Sequence, residues 1–530
     1  MGLNISKVWT RLRRAFRDER GAIAPMFAVL LVPMVIAAGV GVDVARAMSS
    51  RNNLQDALDT VALALAHLPP NTPQATLNSK ANAWLNANLT DGNLGTVNMT
   101  VTQTTGQLVL TASSTVKTTL TGLAGVSTIP VQAASTAKWG LTHVEIALVL
   151  DNTGSMAGTK LTTLISAANS LVDTLAASTQ SSDPTALKIS VVPFSMTVNI
   201  GSTYQGQSWL SGVMPTAYGT DIFDTAGTNR FTAFSTLGKS WNGCVESRPQ
   251  PYDAQDTPPT SGATLFVPFF APDEPGDGTG SVSGYYNDYI DDGRSMNNYT
   301  WQQVETYAVK YNCKKFNSNT SATCKTTGTP TVRSGTNSST GYTYGPNAGC
   351  SLTPLLRLTN DTTAVKTKLG QMQAVGDTNI PLGMMWGWHT LTPSAPFGDG
   401  TPYNTYGVKK IVVLLTDGDN TMTDNNNSND SYYNGLGYIW QGRLGITSGS
   451  ATTRTSKMDA RLTQVCSNMK DPTVNITIYT VRIDLSGTAP AALSGCASLP
   501  EYFYDVPDVA NLSTAFTAIA GSIGDLRIAK

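Results

Sequence analysis

Asp151, Thr153 and Ser155 follow directly on the apolar run Val144-Glu145-Ile146-Ala147-Leu148-Val149-Leu150. A carboxylate and two alternate hydroxyls thus stand at the end of a segment that reads as a buried strand. Such oxygens suit a hard divalent cation. Mg²⁺ takes about six oxygens in an octahedron and releases its waters reluctantly, so a shallow cup serves it better than a closed cage. One position then stays open for a ligand from outside. Two further segments add to the cup: Lys409-Lys410-Ile411-Val412-Val413-Leu414-Leu415-Thr416-Asp417-Gly418 is a second buried strand delivering Asp417, and Gly376-Asp377-Thr378-Asn379-Ile380 opens a helix with Thr378.

On these three segments the chain resembles a von Willebrand factor A domain, over roughly residues 141–530 with a large interruption. In that family a metal-ion-dependent adhesion site joins D-x-[ST]-x-S in one loop to a Thr in a second and an Asp in a third. The resemblance implies that Asp151, Thr153, Ser155, Thr378 and Asp417 hold Mg²⁺ (or Mn²⁺ or Ca²⁺). Thr153, Ser155 and Thr378 would touch the ion, and Asp151 and Asp417 would act directly or through coordinated water. It implies binding rather than catalysis, with an acidic side chain of a protein partner completing the octahedron. Thr153 stands where many members carry Ser, but the hydroxyl is retained. The competing reading is a remnant cup whose residues only tie loops together.

Alternating elements must position these residues. Leu161, Leu164, Ala168, Leu171 and Leu175 recur at helical spacing, strands are expected at Leu187–Phe194, Ile411–Leu415 and Ile476–Ile483, and Leu512, Phe516, Ile519 and Ile523 mark a closing helix. This predicts an α/β fold, Rossmann-like, with a mostly parallel sheet, flanking helices and ligands at the carboxyl ends of its strands. An insertion at about 197–358 is rich in Gly, Asn, Thr, Tyr and Pro. A loop of that length is expected to carry hidden order or function. Its Trp241, Tyr285, Tyr286, Tyr289, Tyr299 and Trp301 read as contact anchors or as a local core. Asp273, Glu274, Asp277, Asp288, Asp291 and Asp292 lack EF-hand spacing and read as a solvated loop rather than a calcium site.

At the amino terminus, residues 21–42 contain no charged side chain, and as a helix they span about 33 Å, enough to cross a bilayer. Six positive charges (Lys7, Arg11, Arg13, Arg14, Arg17, Arg20) precede them against Asp18 and Glu19. The positive-inside rule places this tail, residues 1–20, in the cytoplasm and the bulk outside. A cleaved signal peptide ending near Ala45-Arg46-Ala47 is the alternative, but the helical stripe Leu54, Leu58, Val61, Leu65 continues to Leu68-Pro69-Pro70 and favours an uncleaved anchor. Glu19-Arg20-Gly21-Ala22-Ile23-Ala24-Pro25-Met26 resembles the opening of the TadE/TadG-like proteins of the Tad (Flp) pilus assembly system. Pilin precursors have Glu five residues after the Gly; Met26 stands there, which speaks against processing and favours TadG-like membership. The resemblance implies an inner-membrane, periplasm-facing component of pilus assembly or secretion. Residues 43–140 are expected to form a helical stem and a small α+β module resembling a pilin head, with a helix carrying Leu77, Ala81, Trp84 and Leu85, and residues 141–530 the A domain.

A net charge of −1 over 530 residues gives no basic field for nucleic acid. No small-molecule substrate is indicated. Six cysteines and no C-x-x-C suit an oxidising compartment, and the pairs Cys466 with Cys496, Cys313 with Cys324 and Cys244 with Cys350 are one choice among fifteen. His67, His143 and His389 are scattered and no G-x-S-x-G or H-E-x-x-H motif occurs, so an enzyme is poorly supplied. A metal-dependent phosphatase using Asp151 and Asp417 would lack an evident general base. A structural minor-pilin-like component, or an adhesin without metal, is the other alternative.

Overall fold

The computed structural model describes residues 23–528, apart from 67, 69–71, 105–106, 139–142, 179–182, 184, 277, 279–284, 292–305, 318–322 and 484–488. The basic tail, Tyr299, Trp301, Asp277 and Asp292 lie outside the described residues. The chain divides into two compact units at Gly140/Leu141.

The first unit is built on one long helix, α1 (Ile23–Ala66). Its first part shows Met26, Phe27, Val29, Leu30 and Leu31 to the exterior, and it is the one helix among the described residues long and apolar enough to cross a membrane. From Gly39 onward a stripe turns inward. Leu54, Leu58, Val61 and Leu65 pack with Leu77, Ala81 and Leu85 of α2 (Gln74–Asn88) and with Leu108 and Leu110. Three antiparallel strands, β1 (Asn98–Thr104), β2 (Gln107–Lys117) and β3 (Thr128–Lys138), form the sheet they cover. The first carboxylate after the apolar segment, Asp43, is buried and accepts the main-chain N–H groups of Thr119, Leu120 and Thr121. A Cβ on Gly39 would lie 2.4 Å from Leu120 Cβ, so only glycine lets the helix approach this turn.

The second unit is a three-layer α/β domain. Strands β4 (His143–Asp151) and β5 (Leu187–Phe194) pair in parallel, and the short antiparallel strands β6 (Val198–Asn199) and β7 (Cys244–Val245) continue the sheet from the end of β5. A small β8–β9 ribbon (Cys313–Phe316, Cys324–Thr327) lies in the insertion. β10 (Leu356–Thr359) runs antiparallel on the far side of β5. β11 (Val408–Thr416) pairs with β4, β12 (Thr477–Ile483) with β11 and β13 (Phe503–Val506) with β12, all parallel. The spatial order β10-β5-β4-β11-β12-β13 is the doubly wound order with one antiparallel edge, the arrangement of a von Willebrand factor A domain. Central strands are apolar on both faces because both are covered. Ile146, Leu148 and Leu150 meet α3 (Thr159–Ser178) and α8 (Leu512–Ile528). Ala147 and Val149 meet α6 (Ile380–Leu391) on the other side.

The insertion joins the core. Both of its expected ends belong to the sheet, since Val198–Asn199 and Leu356–Thr359 are strands. Within it, α4 (Arg230–Thr236) and Trp209, Phe234, Trp241, Phe266, Phe270 and Tyr289 share one apolar cluster with Val192, Phe194 and Trp386. Every residue of α6 is therefore buried: one side faces the sheet, the other the insertion. Two glycines allow this approach, for a Cβ on Gly383 would meet Phe194 Cγ at 2.5 Å and one on Gly387 would meet Val149 Cγ2 at 2.4 Å. Of the acidic residues expected in a solvated loop, Asp273, Glu274 and Asp288 are instead buried, while Asp291 is exposed. Asp273 accepts the N–H groups of Tyr289 and Ile290 and pairs with Lys310 at 3.0 Å, Glu274 accepts those of Tyr286 and Asn287, and Asp288 accepts that of Gly278. Main-chain donors inside the insertion, not water, satisfy these carboxylates.

Disulfides join Cys244 of β7 to Cys350, Cys313 to Cys324 across the β8–β9 ribbon, and Cys466 of α7 (Ala451–Lys470) to Cys496. Helix α5 (Thr362–Gly370) is capped by Asp361, whose carboxylate accepts from Thr363 and Ala364 N–H.

Candidate functional site

Strands β4 and β11 lie side by side at the point where the chain reverses its direction of winding, β4 ending in Asp151 and β11 running directly into Asp417. Loops diverge there, leaving room for a ligand at the carboxyl ends. Leu150 is level with Leu415; Asp151 closes β4, and Asp417 follows Thr416 in the turn after β11. A short 3₁₀ turn, Gly154–Met156, carries the chain from β4 to α3 and brings Ser155 back over the strand ends.

The oxygens form a connected arc. Thr416 Oγ1 donates to Asp151 Oδ2 at 2.6 Å, and Thr153 N–H donates to Asp151 Oδ1 at 2.8 Å. Thr153 Oγ1 lies 3.0 Å from Ser155 Oγ, which donates to Asp417 Oδ1 at 2.7 Å. With metal–oxygen bonds of about 2.1 Å, adjacent vertices of an octahedron stand about 3 Å apart. The hydroxyl–hydroxyl and hydroxyl–carboxylate separations match that edge, and the donor set is wholly oxygen, so the residues fit a hard divalent ion. Thr378 is tied in through the main chain. Its N–H donates to Thr421 Oγ1 at 2.8 Å, its carbonyl accepts from Thr421 N–H, and Gly154 N–H donates to the carbonyl of Gly376 at 2.9 Å. Side-chain bonds thus link Thr153, Ser155 and Asp417, the main-chain N–H of Thr153 joins Asp151 to them, and backbone bonds bring the loop of Thr378 alongside.

Burial dominates the electrostatics. Asp151 is fully enclosed, which pushes its carboxyl up to about 6; hydrogen bonds from Thr416 and Thr153 oppose the rise and nearby Asp417 adds to it. Two negative groups this close and this dry call for a cation. Lys160, in the first turn of α3, supplies part of it, with its ammonium 2.8 Å from Asp417 Oδ2.

Lys160, Thr416 and Thr421 are absent from the sequence expectation. Thr416 was legible as the polar residue closing the apolar run Ile411–Leu415; Lys160 and Thr421 have contacts that only the folded loops create. His389 packs inside α6 against Phe266 and Trp386, and burial pushes its imidazole pKa down. His143 sits 2.8 Å from Asp183, at the opposite end of β4 from Asp151.

Residues 21–67 match the family described as Tad, putative Flp pilus-assembly TadE/G-like, so the amino-terminal segment is TadE/TadG-like. No curated protein matches the chain. Among solved structures, similarity extends to the vWF domain of the type V pili tip protein Mfa5 from Porphyromonas gingivalis (11% identity, 72% of this chain and 95% of that one, TM-score 0.31). It extends also to the von Willebrand factor type A protein from Catenulispora acidiphila (10% identity, 81% of this chain and 50% of that one, TM-score 0.26). A third is proximal thread matrix protein 1 from the mussel byssus with a zinc-occupied MIDAS motif (10% identity, 72% and 46%, TM-score 0.27). At these scores the fold assignment stands on the strand order above.

Proposed function

We propose that the protein is a membrane-anchored component of a Tad/Flp-type pilus assembly or secretion machinery that holds a protein partner through a divalent cation at Asp151, Thr153, Ser155, Thr378 and Asp417. The observation that carries this reading is the arc of oxygens at octahedral spacing, placed at the switch point of the sheet. Support for the anchor comes from the exposed apolar start of α1 and its TadE/TadG-like sequence; the basic tail supports an amino terminus on the cytoplasmic side of the inner membrane and an A domain outside it.

Bound there, a divalent ion would supply an electrophilic vertex for a carboxylate of the partner. The protein's own residues prepare that vertex. Neutral hydroxyls of Thr153 and Ser155 fill positions without cancelling charge. Asp151 is held by Thr153 N–H and Thr416, which favours contact through water over direct ligation. Lys160 offsets one charge of Asp417. The role is binding, not turnover. A structural pilus role is the second reading, favoured by a small module folded directly onto the anchor helix.

Photocrosslinking in cells from a position beside Ser155 tests the choice. Capture of one partner that disappears in Asp417→Ala, with unchanged membrane level of the protein, is the expected result; undiminished capture in that variant refutes the metal-dependent reading and leaves the structural one.

A further inference from the structure

Beside the Gly376 loop the insertion and the segment after β11 meet around a small, partly open cleft. Its walls are tyrosines. Tyr286 and Tyr432 meet with ring centroids 5.3 Å apart, Tyr433 and Tyr438 at 5.0 Å, and Tyr342 lines the same space. At the back stands Glu274, 4% exposed, whose Oε1 accepts from the Tyr438 hydroxyl at 2.9 Å while Oε2 accepts from two main-chain N–H groups. Tyr433 gives its hydroxyl to Glu246. Both inner hydroxyls are thereby turned to carboxylates, and what the rings can offer an entrant is their π faces.

Among the described residues no ion pair neutralises Glu274, whereas its neighbour Asp273 has Lys310 and Glu246 has Arg230 and Arg443. Burial holds the Glu274 carboxyl above its ordinary range despite its hydrogen bonds. A second carboxylate, Asp377, lies toward Tyr342 and Tyr432 and is itself bonded to Thr423. Aromatic faces around an unneutralised carboxylate are complementary to one ligand class, an organic ammonium.

We infer that this cleft is a second recognition site that receives a lysine side chain of the protein partner, its ammonium meeting Glu274 and its methylenes lying against the tyrosine rings. The cleft abuts the proposed metal face. A Cβ on Gly376 would lie 3.1 Å from Tyr342 Oη, and the carbonyl of Gly376 accepts the N–H of Gly154 between Thr153 and Ser155. A partner segment carrying an acidic residue and a lysine would therefore engage both. The ammonium site stands on its own residues; only the claim that one partner fills both sites rests on the metal-dependent reading.

The test uses the full chain in detergent micelles with EDTA present, and saturation-transfer NMR of Nα-acetyl-lysinamide against its neutral isostere Nα-acetyl-norleucinamide. Saturable transfer to the lysine ε-methylene is expected, with norleucinamide at background. Glu274→Gln and, at the rim where folding is least at risk, Tyr342→Ala should each weaken it by about tenfold. Asp417→Ala should leave it unchanged, so this result is independent of whether magnesium binds. Equal transfer to both ligands, no transfer to lysinamide, or full transfer in Tyr342→Ala of wild-type melting temperature overturns the inference.

Discussion

Replacing Asp151 by Asn should stabilise the metal-free protein and abolish its response to magnesium. The carboxyl sits at about 6 in the fold against an ordinary 3.8, which at about 1.36 kcal/mol per pH unit makes the ionised group cost the fold about 3 kcal/mol at neutral pH. Asparagine keeps an oxygen for the N–H of Thr153. Its amide can donate to Thr416 Oγ1, whose proton turns to the Gly418 carbonyl 3.0 Å away. Loss of a charge-assisted bond takes back about 1 kcal/mol, leaving a gain of about 2 kcal/mol. The sign follows from the raised value: the wild-type penalty is absent below 3.8, grows with pH and is complete above about 6. Thermal melts of the full chain in EDTA, followed by tryptophan fluorescence, should therefore place the variant above wild type at pH 7.5 and level with it at pH 3.5. At magnesium a hundredfold above its Kd, wild type should gain about 2.7 kcal/mol and the variant nothing, reversing the order. A variant no more stable than wild type in chelator at pH 7.5, or a gain that persists at pH 3.5, refutes the argument.

Magnesium affinity of the wild type, read by calorimetry, should be flat above pH 7 and fall about tenfold per pH unit below about 6, because Asp151 must shed its proton. Glu246→Ala leaves Arg230 and Arg443 buried without their shared carboxylate and should cost about 3–5 kcal/mol by urea unfolding. Gly383→Ala drives a methyl into Phe194 and should cost about 1–3 kcal/mol, visible as a lowered melting temperature with the membrane fraction unchanged. Removing the Cys244–Cys350 bridge by paired serine substitutions opens a loop of 106 residues and should cost about 4–5 kcal/mol.

The parallel sheet was legible because its central strands are largely apolar on both faces and two of them run into a carboxylate, as in Leu148-Val149-Leu150-Asp151. Four residues of Leu356–Thr359 and four of Phe503–Val506 are too short and too mixed to announce themselves, so the sheet's two edges were missed. The acidic stretch misled for a related reason. Composition cannot tell a solvated Asp from Asp273, whose oxygens are claimed by N–H groups sixteen and seventeen residues away and by Lys310. Loop-borne partners such as Lys160 on Asp417 span 257 positions and carry no periodic signal.

Helix α1 runs 44 residues without a break, about 66 Å, and its second half is the spine of the small module's own core. With the first turns seated in a bilayer as proposed, no swivel separates that module from its mooring. Tension arriving through β3 is borne in shear along Leu54, Leu58, Val61 and Leu65, and at the membrane end by the three bonds of Asp43. From Gly39 to Lys138 the first unit thus behaves as one stiff body.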